Sequence, residues 1–230
     1  MDTKQGTLSV VATPIGNLGD MTYRGVEILQ NCDYIVCEDT RTTGKLLAHY
    51  AIDTPMHRYD AHASERVHER ILADLAAGQH IALVSDAGTP GVSDPGVRLV
   101  ARAREARVRL ETIPGPSAVT AAVAIAGLTG NQFTFLGYIP QKKGRETFLR
   151  SLSTYSHPVV FFESTHRIMK TLSQLDAMAT DTPIDWSITI ARELTKLHEE
   201  VVTGSPAELQ EYFESHPDHQ KGEFVVIFHN

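Results

Sequence analysis

The strongest chemical signal in the sequence is a glycine- and proline-rich segment, SDAGTPGVSDPG, at residues 85–96. Glycine lacks a Cβ and proline fixes φ, so such a segment lets the backbone approach a bound ligand closely. Asp86 and Asp94 could bond to hydroxyl or amino groups of that ligand, although Asp94 could equally cap the helix that follows. We interpret the segment as a backbone clamp around a small molecule.

Two other turns carry similar residues. ATPIGNLGD at residues 12–20 has one proline and two glycines, with Asp20 placed to cap a helix. It lacks the first glycine of a G-x-G-x-x-G dinucleotide turn, and an ordinary strand-to-helix turn explains it equally well. PGPSA at residues 114–118 precedes another helix, whose free amides and Ser117 hydroxyl could bind a carboxylate or a ribose oxygen. Taken alone, Ser117 is a simple helix cap.

Charged residues stand directly against strands at three places in the second half: FFESTHR (161–167), ARELTK (191–196) and KGEFVV (221–226). One such junction is ordinary, but three in a small domain predict a polar site. The charged or titratable residues in them are Glu163, His166, Arg167, Arg192, Glu193, Lys196, Lys221 and Glu223.

The residue types and their spacing do not fit several other kinds of functional site. His57, His62 and His68 are five and six residues apart, which does not place them on one helix face, so no metal site is expected. The sequence has neither a G-x-S-x-G hydrolase elbow nor a P-loop. Cys32 and Cys37 are too few for a disulfide framework and are expected to be reduced thiols.

Composition limits the class of protein. The 230 residues are 42% hydrophobic and carry a formal net charge of −7, so the chain can form a sizeable core but lacks the basic field of a typical nucleic-acid binder. Any RNA or DNA site must therefore be local. The polar start MDTKQG and the absence of a long apolar stretch argue against a leader peptide or a membrane span, and we expect a cytoplasmic protein.

Strands alternate with helices in the first half of the sequence. Strands are predicted at 8–12, 34–38, 81–85 and 108–113, and helices near 21–30, 41–49, 64–77 and 94–106. Parallel neighbours need crossover connections, which helices supply, so this order predicts an α/β domain with a mostly parallel sheet. Ligands of such sheets bind beyond the carboxyl ends of the strands, where the glycine-rich turns fall.

The second half is richer in strands. They are predicted at 133–139, 159–164, 186–193, 198–204 and 222–228, with helices near 145–153 and 166–179. The last three strands show no long crossover between them, so we expect a mixed or antiparallel sheet. Pro114 and Pro116 interrupt the first pattern, which places the boundary between two α/β domains at residues 1–116 and 117–230.

Taken together, these segments carry a family resemblance. TPIGNLGD, CEDTRTTGKLL, SDAGTPGVSDPG, PGPSA, FFESTHR, ARELTK and KGEFVV occur in the order and spacing of the ribosomal small-subunit RNA ribose 2′-O-methyltransferases, within the tetrapyrrole-methylase superfamily. The chain resembles this family from about Gly6 to Phe228. It departs from the family at Phe162 and Thr165, where tyrosine and proline are usual, and near His62, where Ala63 follows instead of asparagine.

The resemblance implies two α/β domains that form a homodimer and hold S-adenosylmethionine in the cleft between the domains. It assigns cofactor binding to Pro14, Ala87, Gly88, Thr89, Val92, Ser117, Ala118, Phe162, Ala191 and Gly222. The corrin and porphyrin enzymes of the superfamily usually have aspartate where this chain has Thr89, which favours the RNA branch.

The implied reaction is transfer of a methyl group to the ribose 2′-hydroxyl of a cytidine in the decoding region of small-subunit ribosomal RNA. Positioning dominates such a displacement, but a general base is useful, and the candidates are Glu38 or Asp39, Glu163, Glu193 and Lys196. We favour Glu163 and Lys196, although a lysine serves only if its pKa is lowered, and a structural ion pair explains either residue equally well.

The negative net charge requires a local RNA contact. We favour the loop that contains Lys142, Lys143 and Arg145 for phosphate binding, and Arg167 and Arg192 also suit phosphates. An arginine-rich segment near residues 98–109 is a second candidate, although it could simply be a solvated helix face.

The sequence leaves two other functions open. One is methylation of a small corrin or porphyrin, which would use the same cofactor site. The other is a non-catalytic ribosome-assembly factor that binds RNA and keeps the cofactor as a structural ligand. The basic loop and Thr89 argue against the first, and the intact cofactor segments argue against the second.

Overall fold

The computed structural model describes residues 6–180 and 186–229, and the polar start Met1–Gln5, on which the expectation of no leader peptide depends, lies outside these residues. The chain divides into two compact units, Met1–Ser117 and Ala118–Asn230. Each is an α/β unit with its own sheet, as predicted. No helix within the described residues is long and apolar enough to cross a membrane.

The first unit alternates strands and helices and has a wholly parallel sheet. Its elements in chain order are β1 (Thr7–Val11), α1 (Tyr23–Asn31), β2 (Tyr34–Cys37), α2 (Thr40–His49), β3 (Met56–Arg58), α3 (Glu65–Ala76), β4 (His80–Leu83), α4 (Gly96–Glu105) and β5 (Arg109–Ile113). The strand order is β3-β2-β4-β1-β5, which confirms the parallel sheet. Strand β3 was not predicted, because three residues with two exposed side chains show no readable alternation.

Both faces of this sheet are covered. Ile35 on β2 packs with Leu29 of α1 and Leu47 of α2, whereas its neighbour Val36 packs on the opposite face with Leu75 of α3. The almost continuous apolar runs of the strands reflect this burial on two sides. Both cysteines are buried free thiols, as expected.

The second unit has a mixed sheet, which confirms the prediction. Its elements are α5 (Ala118–Ile125), β6 (Thr134–Tyr138), α6 (Arg145–Ser151), β7 (Val159–Ser164), α7 (Ile168–Thr180), β8 (Ser187–Arg192), β9 (Glu200–Gly204), α8 (Pro206–Ser215) and β10 (Glu223–His229). The strand order is β6-β7-β10-β8-β9, with β6 and β7 parallel and the other neighbours antiparallel.

One prediction about this unit is wrong. Helix α8 connects β9 to β10, so the last strands are not joined by short connections alone, and β10 lies between β7 and β8. The sequence contained the signal: Ser205 and Glu208 form a reciprocal capping box and Pro206 opens the helix. Phe213 of α8 is fully buried in the core of the unit with Phe161 and Phe228.

Candidate active site

Loops beyond β1 and β4 are joined in the first unit. Thr13 and Gly88 exchange backbone hydrogen bonds of 2.9 and 3.0 Å, and the Thr13 hydroxyl donates to the Ser85 carbonyl at 3.2 Å. The Thr89 hydroxyl donates to the Pro116 carbonyl at 3.0 Å, which ties the same loop to the segment after β5. The three glycine- and proline-rich segments therefore lie together at the carboxyl end of the sheet.

Gly88 is at the centre of this arrangement. Its φ of +78° suits glycine, and a Cβ there would lie 3.3 Å from Ile15 Cγ2 and 3.7 Å from the Pro116 carbonyl oxygen. Ala87 and Gly115 in the joined loops are exposed residues, while Thr13, which bonds to Gly88, is buried. Exposed backbone on a fixed support fits a ligand held mainly by main-chain groups, which is the expectation for S-adenosylmethionine.

The residues assigned to the cofactor in this unit share this end of the sheet. They are Pro14, Ala87, Gly88, Thr89, Val92 and Ser117, with Ala118 at the first position of the other unit. Asp94 serves its own loop, because its oxygens accept hydrogen bonds from the amides of Gly91 at 2.6 Å and Gly96 at 2.8 Å. Gly96 is the first residue of α4, so Asp94 binds the start of that helix, although the N-cap position itself is Pro95. The ligand role of Asp94 stays a prediction.

A cavity of about 430 Å³ opens beside this loop, at the ends of β2, β3 and β4. It is lined by Glu38, Asp39, Thr40, Arg41, Arg58, Asp60, Ala61, His62 and Asp86. Asp39 caps α2 and binds Arg41, and these hydrogen bonds lower the pKa of Asp39 to about 2. Burial, and then the charges of Asp86 and other aspartates, raise the pKa of Glu38. Of the cavity residues, only Glu38 and Asp39 were considered from the sequence as bases.

The three charged junctions of the second unit also meet. Glu223 at the start of β10 pairs with Ser164 at the end of β7, and Phe224 pairs with Arg192 at the end of β8. Thr165 also links the end of β7 to the start of β10: its hydroxyl donates to the Gly222 carbonyl at 2.6 Å and accepts from the Gly222 amide at 2.9 Å. Antiparallel pairing thus brings FFESTHR, ARELTK and KGEFVV to one end of the sheet.

Glu163 is saturated by neighbours at this end. One carboxylate oxygen accepts from Arg145 at 3.2 Å and Thr171 at 2.7 Å, and the other accepts from the Ser164 amide at 2.7 Å and pairs with Arg167 at 2.9 Å. The carboxylate is fully buried. This geometry argues against the prediction of Glu163 as a base, because a base needs access to the substrate hydroxyl and a free lone pair.

Arg145, expected to contact phosphate, is buried as well, with 4% of its surface exposed. Besides Glu163, its guanidinium donates to Gln174 at 2.8 Å, Thr171 at 2.6 Å and the Pro140 carbonyl at 3.4 Å. The assignment of Arg145 to RNA is corrected here: the side chain joins α6, α7 and β7 from inside the unit. Lys142 and Lys143 beside it are exposed.

Lys196 lies between two carboxylates, with its ammonium 2.8 Å from Glu193 and 3.1 Å from Glu223. Burial works to lower the pKa of Lys196, but these carboxylates outweigh it and raise the pKa above its usual value of 10.5. Lys196 is therefore charged at neutral pH, which argues against its prediction as a general base. A charged Lys196 is better suited to binding a ligand than to accepting a proton.

Arg192 is 7% exposed and braces the loops around β8. Its guanidinium donates to the carbonyls of Lys221, His198 and Asp218 at 2.6, 3.2 and 3.3 Å and lies 3.6 Å from Glu200. These bonds engage the Arg192 guanidinium within the protein and leave it poorly placed for RNA. The prediction that Arg192 binds RNA phosphate is therefore also corrected.

Arg167 differs from Arg192. Its Nε binds Glu163 and Ser164, but its buried Nη1 has no hydrogen-bond partner among the residues that the structure describes. A donor without a partner fits an incoming anion, and the phosphate role of Arg167 stays a prediction.

The cofactor residues assigned to the second unit fall in two places. Phe162 and Ala191 are both cross-strand partners of Val225, so they form one row on the sheet face opposite Phe161. Gly222 lies at the sheet end with φ +114°, where a Cβ would be 2.6 Å from Glu193 Cγ. Sequence reasoning missed the aromatic group around Phe162, whose ring centre is 4.9 Å from that of Phe135 and 5.2 Å from that of the 58%-exposed Tyr138.

Comparison with known proteins identifies the family to which this chain belongs. The tetrapyrrole (corrin/porphyrin) methylase family matches residues 7–210. Proteins named ribosomal RNA small subunit methyltransferase I are similar over nearly the whole chain. That of Xylella fastidiosa is 44% identical and is covered to 81%, with 96% of this chain aligned. That of Synechocystis is 45% identical and covered to 78%, and that of Thermotoga maritima is 41% identical and covered to 97%, each over 96% of this chain.

Solved structures share the fold. A cobalt precorrin-4 methyltransferase of cobalamin biosynthesis superposes with a TM-score of 0.67 at 16% identity, covering 96% of this chain and 94% of the other. The uroporphyrin-III-C-methyltransferase of Thermus thermophilus gives a TM-score of 0.64 at 19% identity with the same coverage. At such low identity these two establish the fold alone. By its family match and its relatives, the chain belongs to the tetrapyrrole (corrin/porphyrin) methylase family, in the group of the ribosomal RNA small subunit methyltransferase I proteins.

Proposed function

We propose that this protein transfers a methyl group from S-adenosylmethionine to small-subunit ribosomal RNA, and that the acceptor is the ribose 2′-hydroxyl of a cytidine in the decoding region. The observation that carries the proposal is the identity of 39–45% to several ribosomal RNA small subunit methyltransferase I proteins over 96–99% of this chain. The enzyme is thus an S-adenosylmethionine-dependent methyltransferase. The ribose position and the cytidine are the finer part of the proposal and come from the family resemblance.

The cofactor role of the first unit rests on main-chain geometry. The loop from Ala87 to Val92 presents backbone held by the Thr13 bridge, and Gly88 keeps a side chain out of the space above it. When bound, S-adenosylmethionine supplies an electrophilic methyl group on a sulfonium. The loop's task is to fix that ligand, since alignment of the reacting atoms lowers the barrier most.

The cofactor role of the second unit is proposed for Phe162, Ala191 and Gly222. Phe162 offers a half-buried aromatic ring, and Ala191 offers a small side chain beside Val225 in the same row of the sheet. An aromatic ring and a small neighbour suit the flat apolar face of an adenine.

RNA contact is proposed for Lys142, Lys143 and Arg167. The two lysines are exposed on the loop before α6, and Arg167 keeps an unused donor. Cations of this kind bind phosphate oxygens without reading sequence. With a net charge of −7, the molecule depends on such a local patch.

The deciding experiment uses small ribosomal subunits from cells that lack this protein. Incubation with methyl-labelled S-adenosylmethionine should place the label in 2′-O-methylcytidine, detected by nucleoside analysis of the extracted RNA. Label in a nucleobase would overturn the ribose position, and no label in either subunits or free RNA would overturn the RNA substrate. Methylation of a corrin or porphyrin in parallel reactions would support the small-molecule alternative.

We further propose that the enzyme acts as a homodimer in the cytoplasm, where ribosomal subunits are found. The family resemblance supports this proposal. Analytical ultracentrifugation at micromolar concentration should give about twice the chain mass of 25.3 kDa. A species of single-chain mass would contradict it.

A further inference from the structure

Glu38 occupies a distinctive place in the first unit. It directly follows β2, whose neighbour β4 leads into the glycine-rich loop at Gly88. The amide of Asp39 donates to the Asp86 carboxylate at 3.1 Å, which fixes the turn after β2 against the residue that precedes Ala87. Glu38 is therefore held near the loop proposed to bind the methyl donor.

The carboxylate of Glu38 is also unoccupied by the protein. Among the described residues it has no hydrogen-bond or ion-pair partner, and it is half-buried at the wall of the cavity of about 430 Å³. The other base candidates are engaged: Glu163 with two arginines, Glu193 with Lys196, and Asp39 with Arg41. Asp39 lines the same cavity and Glu193 lines another of about 640 Å³, but both are paired with cations. Of the carboxylates considered from the sequence, only Glu38 lies at a cavity wall without a hydrogen-bond or ion-pair partner among the described residues.

The cavity has the size and the charges for a nucleotide. Its volume lies within the range of about 300–1,000 Å³ typical of small-molecule sites. The side chains of Arg41 and Arg58 at its wall are 88% and 71% exposed, and each is paired with an aspartate. Arginines exposed in this way can exchange a carboxylate for a phosphate of similar geometry.

We infer that Glu38 is the general base of the methyl transfer and that this cavity receives the acceptor nucleotide of the RNA. The inference rests on the proposed function and adds to it a catalytic residue and a place for the acceptor. Arg41 and Arg58 bind the phosphates that flank the nucleotide, so the acceptor hydroxyl faces the end of β2.

The step balances without any further reactant. The ribose oxygen forms a bond to the methyl carbon as the bond from that carbon to sulfur breaks. The electron pair of the broken bond remains on sulfur, which becomes a neutral thioether in S-adenosylhomocysteine. The proton of the hydroxyl passes to the Glu38 carboxylate and then to water.

The surroundings of Glu38 suit this role. Burial and the charges of nearby aspartates raise its pKa, which makes the carboxylate a stronger base than a solvated one. The charged and titratable groups that face it come from the start of α2, from β3 and from three loops, and they are Asp39, Arg41, Arg58, Asp60, His62, Asp86 and Asp94.

The test compares Glu38→Gln and Glu38→Asp with the parent in single-turnover methylation of small subunits, from pH 5 to pH 9. Glu27→Gln is the matched control, because it removes an exposed carboxylate from the middle of α1 in the same unit, and Glu27 does not line the cavity. We expect Glu38→Gln to lower the rate by about 10²-fold or more, Glu38→Asp to recover part of it, and Glu27→Gln to match the parent. Affinities for S-adenosylmethionine and for subunits should stay within about twofold.

The pH profile separates a base from a merely structural group. The parent rate should rise with pH through the ionisation of Glu38, since only the deprotonated carboxylate accepts the proton, and Glu38→Gln should lose that rise. His62→Gln should keep it, which excludes the neighbouring imidazole as its source.

Each outcome decides the inference. A Glu38→Gln protein with the parent's rate and pH profile would overturn it, as would a rate loss explained entirely by weaker binding. If the parent itself leaves subunits unlabelled or labels a nucleobase, the proposed function fails too. That failure appears in the parent's nucleoside analysis, whereas failure of the inference alone appears in the ratio of variant to parent.

Discussion

The two sheets end in different ways. At the carboxyl end of the first sheet, backbone loops are joined by main-chain bonds such as that between Thr13 and Gly88, and the Glu38 carboxylate faces an open cavity. At the corresponding functional end of the second sheet, the acidic groups Glu163 and Glu193 are bound by arginine and lysine side chains. The first end keeps polar groups available, and the second uses them to hold its own strands together.

The difference shows why a charged residue beside a strand is an ambiguous signal. Burial of a carboxylate is costly unless cations and hydrogen bonds compensate, and Glu163 receives both from Arg145 and Arg167. A carboxylate so compensated stabilises the fold and is poorly suited to collect a proton. Substitutions at both ends test this division.

Replacing Glu163 with Gln should have the largest effect on the free energy of unfolding. The substitution leaves the buried Arg145 guanidinium without its counter-charge, and breaking a buried ion pair in this way costs about 3 kcal/mol. Urea unfolding measured by far-UV circular dichroism should show the loss. The matched control Glu146→Gln breaks the exposed pair with Arg150 and should cost about 0.5 kcal/mol or less.

The opposite result would restore the interpretation made from the sequence. If Glu163→Gln unfolded like the parent but slowed methyl transfer, Glu163 would be acting on the substrate and not only within the fold.

Replacing Gly88 with Val should weaken binding of S-adenosylmethionine by about 10-fold or more. The branched side chain would enter the space beside Ile15 and Pro116 from a residue with φ +78°. Gly127→Val is the control, since Gly127 has a similar φ of +66°, but apart from its chain neighbours no atom of the described residues lies within 4 Å of the added Cβ. Both variants should lose about 1–2 kcal/mol of stability from backbone strain.

Isothermal titration calorimetry distinguishes the two glycine variants. Unchanged cofactor affinity in a folded Gly88→Val protein would remove the loop from the cofactor site. Equal weakening in both variants would point to general destabilisation.

Changing Lys142 and Lys143 together to Glu should weaken RNA binding by about 10-fold at moderate salt and leave cofactor affinity unchanged. The plot of log affinity against log salt should flatten by roughly 0.7 to 0.9 for each phosphate that the variant no longer neutralises. Lys45→Glu with Lys170→Glu reverses the same number of exposed charges elsewhere and controls for net charge. If both double variants behave alike, the loop before α6 makes no specific contact.

Replacing Glu193 with Gln should have the smallest effect, about 0.5–1 kcal/mol of stability at neutral pH. Burial works to raise the pKa of Glu193, but hydrogen bonds from Lys196 and the Glu223 amide outweigh it and hold the pKa below 4.5. The carboxylate therefore stabilises the fold above pH 4.5, and this contribution fades as the pH falls through the lowered pKa.

The measurement is the difference in unfolding free energy between parent and variant across pH 2 to 7. The difference should narrow below pH 4.5, whereas Glu211→Gln on the exposed side of α8 should show little difference at any pH. If the difference in unfolding free energy widened as the pH fell, Lys196 would not be stabilising the charged form of Glu193.

The sequence by itself determined most of the secondary structure and the parallel sheet. Apolar runs separated by helical spacing are local patterns, and they predicted β1, β2, β4 and β5 to within about two residues. Two elements were not predicted: β3 is too short to show an alternation of apolar and polar residues, and α8 was overlooked despite the capping box at Ser205. Glycine and proline also act locally, so the tight loop at residues 85–96 could be recognised from its composition, and its role as a ligand clamp stays a prediction.

Only the tertiary structure decided which charged residues are available for chemistry. Arg145 reaches Glu163 across 18 positions of the chain, and Arg192 reaches Lys221 across 29, so neither pairing is visible in a local pattern. The Glu38 carboxylate, which has no partner among the described residues, is a similar case, because its cavity is built from residues at or beyond the ends of three different strands. Propensity and turn chemistry depend on neighbours in sequence, whereas the availability of a charge depends on burial and partners that only folding brings together.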